Sequence, residues 1–235
     1  MDLEKFESLR SPRITFVSEF SLADAGIRVD ESIRSYCEQN LCGMCGKNWA
    51  CPPYVPSVEI CRNIVASYGG MILIRTTFPR TSLFDLEEMD AASEEHHSVV
   101  KAIRKEFREK CEGKTLILSA GGCRNCRECS CPKEPCRDPK NKMNSIESYA
   151  IDLDSFLIKN RIPRRGGSDE QSFFAMVLFR LSKRGRWSEP ESSGMKRKNR
   201  WAKVPAKIGR RLWHHCWIAD EGHSSTQVPQ STHLD

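Results

Sequence analysis

Nine of the chain's twelve cysteines crowd into two short windows, residues 37–51 and 123–136. The first window runs Cys37-x4-Cys42-x2-Cys45-x5-Cys51-Pro52-Pro53. The second runs Gly121-Gly122-Cys123-x2-Cys126-x2-Cys129-x-Cys131-x4-Cys136. Thiolates gathered this closely hold a soft metal ion or an iron–sulfur cluster.

In the second window, Cys123, Cys126 and Cys129 are spaced so that three thiolates wrap one face of a cubane. A fourth ligand beside a proline is available twice, as Cys131 before Pro132 and Cys136 after Pro135. Cys131 is cramped against Cys129, so Cys136 is the expected fourth ligand. The expected cofactor is an iron–sulfur cluster of the 4Fe-4S type. Zinc is the alternative, because Cys-x2-Cys also builds structural zinc sites. Gly121 and Gly122 let the backbone approach a cluster and donate N–H groups to its sulfurs. The first window, with Cys37, Cys42, Cys45 and Cys51, fits no common zinc or ferredoxin spacing. Whether the two windows hold two metals or converge on one is not encoded in the spacing.

Other reactive residue types have simpler readings. Cys61 falls on an apolar helix face and Cys111 at a helix end, which makes both packing residues. His96 and His97 are adjacent on a helix, cannot share a metal face as i,i+4 pairs do, and are expected to be partly exposed. Glu147 is expected to cap a helix, and Asp152 to lie within it. His214, His215 and Cys216 lack ligand spacing. No Ser-His-Asp arrangement, phosphate loop or dinucleotide fingerprint occurs in the sequence.

The elements that must position the windows follow from apolar periodicity. Residues 13–20 read as a first strand, 71–78 and 115–119 as buried strands, and 173–179 as a last one. Ser57 reads as the N-cap of a helix carrying Val58, Cys61, Ile64, Val65 and Tyr68, stopped by Gly69-Gly70. A long helix is expected from about 85 to 111, with Leu86, Met89, Val99, Ile103 and Phe107 on its apolar face and Gly113 at its end. Asn144 with Glu147 forms a capping box for a helix through Lys159. The expected class is α/β: a small mixed or parallel sheet flanked by helices, with parallel pairings and two cysteine-rich metal-binding loops. The second window leaves the carboxyl end of a buried strand, where α/β sheets place ligands.

Residues 180–235 differ from the rest. They hold twelve Lys/Arg and five Asp/Glu, whereas residues 1–179 hold twenty-five and twenty-six. The expected organisation is therefore a metal-binding domain over 1–179 and a basic, disordered tail over 180–235. The Lys196-Arg197-Lys198 run has the look of a nucleic-acid patch, but short basic runs are usually solvated, so no nucleic-acid partner is expected. The N-terminus is charged from Asp2 and lacks an apolar signal core, and no run of about eighteen apolar residues occurs. A cytoplasmic location without a membrane partner is expected. In that reducing compartment, clustered cysteines are metal ligands rather than disulfides.

The residues Cys37, Cys42, Gly46-Lys47-Asn48-Trp49, Cys51-Pro52-Pro53, Gly121-Gly122-Cys123-x2-Cys126-x2-Cys129, Pro135-Cys136-Arg137, Ser145-Ile146-Glu147 and Ile151-Asp152 resemble the predicted metal-binding proteins of family DUF2284. The resemblance covers about residues 10–179. It implies metal binding, through an iron–sulfur cluster, and no established reaction. Position 45 is more often aromatic in that family, and Cys131 is an addition to the pattern. Three readings follow. The leading one is an iron–sulfur protein that carries electrons to a redox partner protein. The second is an enzyme whose cluster binds substrate, with three ligands from the first window and an open position. The third is a non-catalytic module held by structural zinc.

Overall fold

The computed structural model describes residues 3–82, 85–111 and 115–180. Four strands form one sheet: β1 (Ile14–Ser21), β2 (Gly70–Pro79), β3 (Thr115–Leu118) and β4 (Glu170–Phe179), in the order β1-β2-β4-β3. Five helices accompany them among the described residues: α1 (Leu22–Ala25), α2 (Glu31–Glu38), α3 (Val58–Ala66), α4 (Leu86–Lys110) and α5 (Leu153–Lys159). The class is mixed α/β, but the expected parallel pairings are corrected. Every neighbouring pair of strands is antiparallel. β2 and β3 do run in the same direction around the helix α4, yet β4 lies between them and pairs with both.

The alternation of side chains explains why these strands read as continuous apolar runs. Met71, Leu73, Met176, Leu178 and Leu118 face a core closed by Cys61 and Val65 of α3 and by Phe156 and Leu157 of α5. Ile72, Ile74, Ala175, Val177 and Ile117 face a second core closed by Val100, Ile103 and Phe107 of α4. The sheet is thus the middle of three layers, and its central strands are apolar on both faces. Ile72, Leu73 and Ile74 are fully buried, each contributing about 1.5–3 kcal/mol. Gly70 is required by this packing. A Cβ there would lie 2.4 Å from Cζ of Phe179, its partner across β4.

Local signals place the helices. Ser57 caps α3 by accepting from the Ile60 N–H, and Asp85 caps α4 by accepting from the Glu88 N–H. The expected capping box at Asn144 and Glu147 is corrected. Residues Glu147–Tyr149 form a single 3-10 turn, and α5 begins later, capped by Asp152 through the Ser155 N–H. The apolar face of α4 is also corrected. Leu86 and Met89 are exposed, while Ala92, His96, His97, Val100, Ile103 and Phe107 are buried. The expected helix stop at Gly113 and the tail beyond Arg180 lie outside the described residues.

Candidate metal centre

The second cysteine window is a loop whose two ends are tied together. It leaves β3 through Ser119, whose N–H donates to Asn144 O (2.9 Å), and the Ile146 N–H donates back to Ser119 O (2.9 Å). Gly121 adopts the left-handed region at φ 69°, which L side chains disfavour. That turn sends the chain from the sheet edge into Cys123. Within the loop, Cys123, Cys126, Cys129 and Cys136 line one cleft, together with Asn48 and Trp49 from the first window. Cys131 does not line it. Its buried thiol faces Gly46 O at 3.7 Å.

The first window begins on α2, which carries Cys37 near its C-terminal end. Asn40, Gly43 and Gly46 then take left-handed conformations, and the Asn40 side chain accepts from the Cys45 N–H (2.9 Å). Gly46 N–H donates to Pro52 O (2.8 Å), which folds the window back on itself. The result gathers four thiols. Burial pushes the Cys51 thiol up to about 12, with the charges of Cys42, Cys37, Cys45 and Cys123 acting in the same direction. Burial likewise raises Cys37 to about 11, helped by the Glu147 carboxyl and by Cys42. Mutual repulsion of this kind opposes ionisation of the thiols, and a bound cation relieves it.

The two windows pack against each other. Asn48, only 4% exposed, donates from Nδ2 to Cys123 O (3.0 Å) and accepts at Oδ1 from the Ala50 N–H (3.0 Å). Trp49 Nε1 donates to Glu134 O (3.1 Å), and Lys142 Nζ donates to Trp49 O (3.0 Å). Asn144 Nδ2 donates to Ala50 O (3.3 Å), which is the role it takes instead of capping a helix. Asn48 and Trp49 carry no ligand chemistry of their own. Their signal in the sequence was the Gly-Lys-Asn-Trp run between cysteines.

The donor set fits a soft metal. Four thiols surround the cleft, a Cβ at Gly121 would meet nothing within 4 Å, and no disulfide consumes any of the eleven described cysteines. Among the described residues, no three His, Cys, Asp or Glu close on a common metal-sized point. The thiols line the cleft without closing on a common point. Cys61 and Cys111 are buried in the two cores, and neither lines the cleft.

The expectation that His96 and His97 are partly exposed is corrected. Both are buried because polar groups of the sheet meet their rings. His96 spans Thr76 Oγ1 (2.8 Å) and Ser119 Oγ (3.1 Å). His97 Nε2 donates to Ala120 O (2.9 Å), which supports the turn into Gly121. Burial holds His96 down to about 3, aided by His97, and holds His97 down to about 4 against the opposing bond to Ala120. A free histidine titrates near 6.5. The unfolded chain therefore binds more protons below that value. The stabilisation is complete above about pH 6.5 and is lost as pH falls toward 4, at about 1.4 kcal/mol per pH unit for each ring. Urea unfolding midpoints should drop steeply between about pH 6.5 and 4.5, and the double variant His96→Gln/His97→Gln should show a shallower slope. Equal slopes in the two proteins would contradict this assignment.

Among the described residues, no helix is long and apolar enough to cross a membrane. The family model described as predicted metal-binding protein (DUF2284) matches residues 21–179. No curated protein and no solved structure matches the chain.

Proposed function

The chain belongs to the DUF2284 family of predicted metal-binding proteins, and from that premise we propose that Cys123, Cys126, Cys129 and Cys136 hold an iron–sulfur cluster of the 4Fe-4S type that serves electron transfer to a partner protein. The observation that carries this reading is that these four thiols, and not Cys131, line one cleft. Bound there, the cluster supplies one-electron redox chemistry.

The surrounding residues do the rest. Gly121 and Gly122, directly before Cys123 in the chain, would offer backbone N–H groups to a bound cluster, and such donors tune reduction potential. Asn48 and Trp49 close one wall of the cleft and fix the first window against it. Cys126, Cys129 and Cys136 are each only partly buried, so electrons have a short route to a protein docked on that face. Cys37, Cys42, Cys45 and Cys51 form a second thiol set beside the first, available to another soft metal.

Reduction of the anaerobically isolated protein tests the redox part of this reading. Dithionite should bleach a visible sulfur-to-iron absorption, and air-free reoxidation should restore it. A protein whose spectrum does not change with dithionite is not an electron carrier of this kind.

A further inference from the structure

A second cavity opens beside the thiol cleft, and its chemistry is different. It has a volume of about 470 Å³ and lies between α4 and the loop segment that carries Asn125, Asp138 and Asn141. Lys101, Arg104, Lys105 and Arg108 line it. These four follow the i, i+3, i+4, i+7 pattern, so they share one face of the helix. Like charges at i,i+4 oppose each other, and both the 101/105 and the 104/108 pairs do so here. Among the described residues, none of the four makes an ion pair with a carboxylate, although neighbouring Lys110 pairs with Glu106 and Arg124 with Asp90. The acidic groups lining the same cavity are Glu109 and Asp138, which leaves a net charge of +2 on its walls.

The guanidinium groups are already positioned. Arg104 donates from Nη1 to Asn141 O, and Arg108 donates from Nη1 to Asn141 Oδ1 (2.6 Å) and from Nη2 to Lys140 O (2.9 Å). Each keeps further N–H donors, and the planar fork of arginine matches an oxyanion in two-point contact. Burial lowers the Arg104 pKa, as does the Arg108 charge, while Cys123 and Asp138 act to raise it. Asn125 and Asp138 line both spaces.

We propose that this cavity binds a small molecule bearing a phosphate group, held by Arg104, Arg108, Lys101 and Lys105 next to the thiol cleft. Concentrated positive charge in a concave wall raises the local concentration of anions, which a flat solvated row of lysines does much less. The site stands whichever metal the thiols hold, so its test can fail without touching the cluster assignment.

The test uses the full chain, isolated anaerobically, with inorganic phosphate as probe and phosphorus NMR or calorimetry as readout. The wild-type protein should show one saturable phosphate site. Lys105→Glu, at an exposed position without a partner, should weaken binding at least about tenfold, the loss expected of one charge-assisted contact. Arg108→Lys keeps the charge but loses the fork, and should fall in between. Arg165→Glu makes the same change of charge as Lys105→Glu outside the cavity and should alter binding less than about twofold. Circular dichroism checks that each variant is folded. Absence of a saturable site, or equal losses in Lys105→Glu and Arg165→Glu, overturns the proposal. It is also overturned if a hexaglutamate peptide, and not phosphate, responds to the cavity variants, because that result describes a docking face for an acidic protein.

Discussion

Single Cys→Ala changes at positions 123, 126, 129 and 136 are expected to strip the protein of most of its metal. Removing even an outer-shell partner of a metal ligand typically costs about 10–100-fold in affinity, and loss of a ligand thiolate removes a bond as well as a charge. The effect on metal content per protein should therefore be the largest of any single substitution. Cys61→Ala, Cys111→Ala and Cys131→Ala provide the contrast. Cys61 and Cys111 pack in the two cores, and the Cys131 thiol faces Gly46 O rather than the cleft. These three variants should keep their metal. If Cys61→Ala lost as much metal as Cys126→Ala, the assignment of the cleft thiols would be wrong.

Asn48→Ala is expected to have the next largest effect, through the contact between the windows. The Asn48 side chain satisfies Cys123 O and the Ala50 N–H at once, in a site from which water is nearly excluded. Leaving a buried polar group unpaired costs about 1–3 kcal/mol, and here two are released. The variant should unfold at lower urea concentration by about 2–4 kcal/mol and should take up metal more weakly, because Cys123 loses its fixed position relative to Trp49. Asn48→Asp separates the two hydrogen bonds. It can still accept from Ala50 but sets a carboxylate against Cys123 O, so metal uptake should suffer more than folding of the first window. Wild-type stability and metal content in Asn48→Ala would show that the windows act independently.

The parts of the fold with strong periodicity are legible in the sequence. The four strands, the Ser57 cap and the long helix ending near Lys110 all follow from runs such as Met71 to Ile74 and Phe173 to Phe179. Strand direction was not legible. A run buried on both faces reads the same whether its neighbours are parallel or antiparallel, and the insertion of β4 between β2 and β3 is a non-local event. His96 and His97 were misplaced for a related reason. Their burial depends on Thr76, Ser119 and Ala120, residues 20 to 23 positions away that the helix pattern does not contain.

At the candidate site, spacing singles out Cys123, Cys126 and Cys129 because Cys-x2-Cys-x2-Cys is a short-range pattern, and these three thiols line one cleft. The choice between Cys131 and Cys136 also came from local loop length, and the cleft has Cys136 on its wall and Cys131 outside it. What spacing lacks is the meeting of the windows. Asn48, Trp49, Lys142 and Asn144 join segments 75 to 94 residues apart. The basic row on α4 was hidden differently. Its four cations look like an ordinary solvated face until the loop with Asn125, Asp138 and Asn141 forms the other wall of an open cleft beside them.

The central claim is that these thiols hold iron and sulfide rather than a lone structural ion. Quantifying iron, zinc and acid-labile sulfide in the same anaerobically purified sample tests it most directly. The account predicts iron and labile sulfide in equal amounts, near four of each per chain for one 4Fe-4S cluster. A colourless protein with stoichiometric zinc and no sulfide would contradict it and make the centre a structural one.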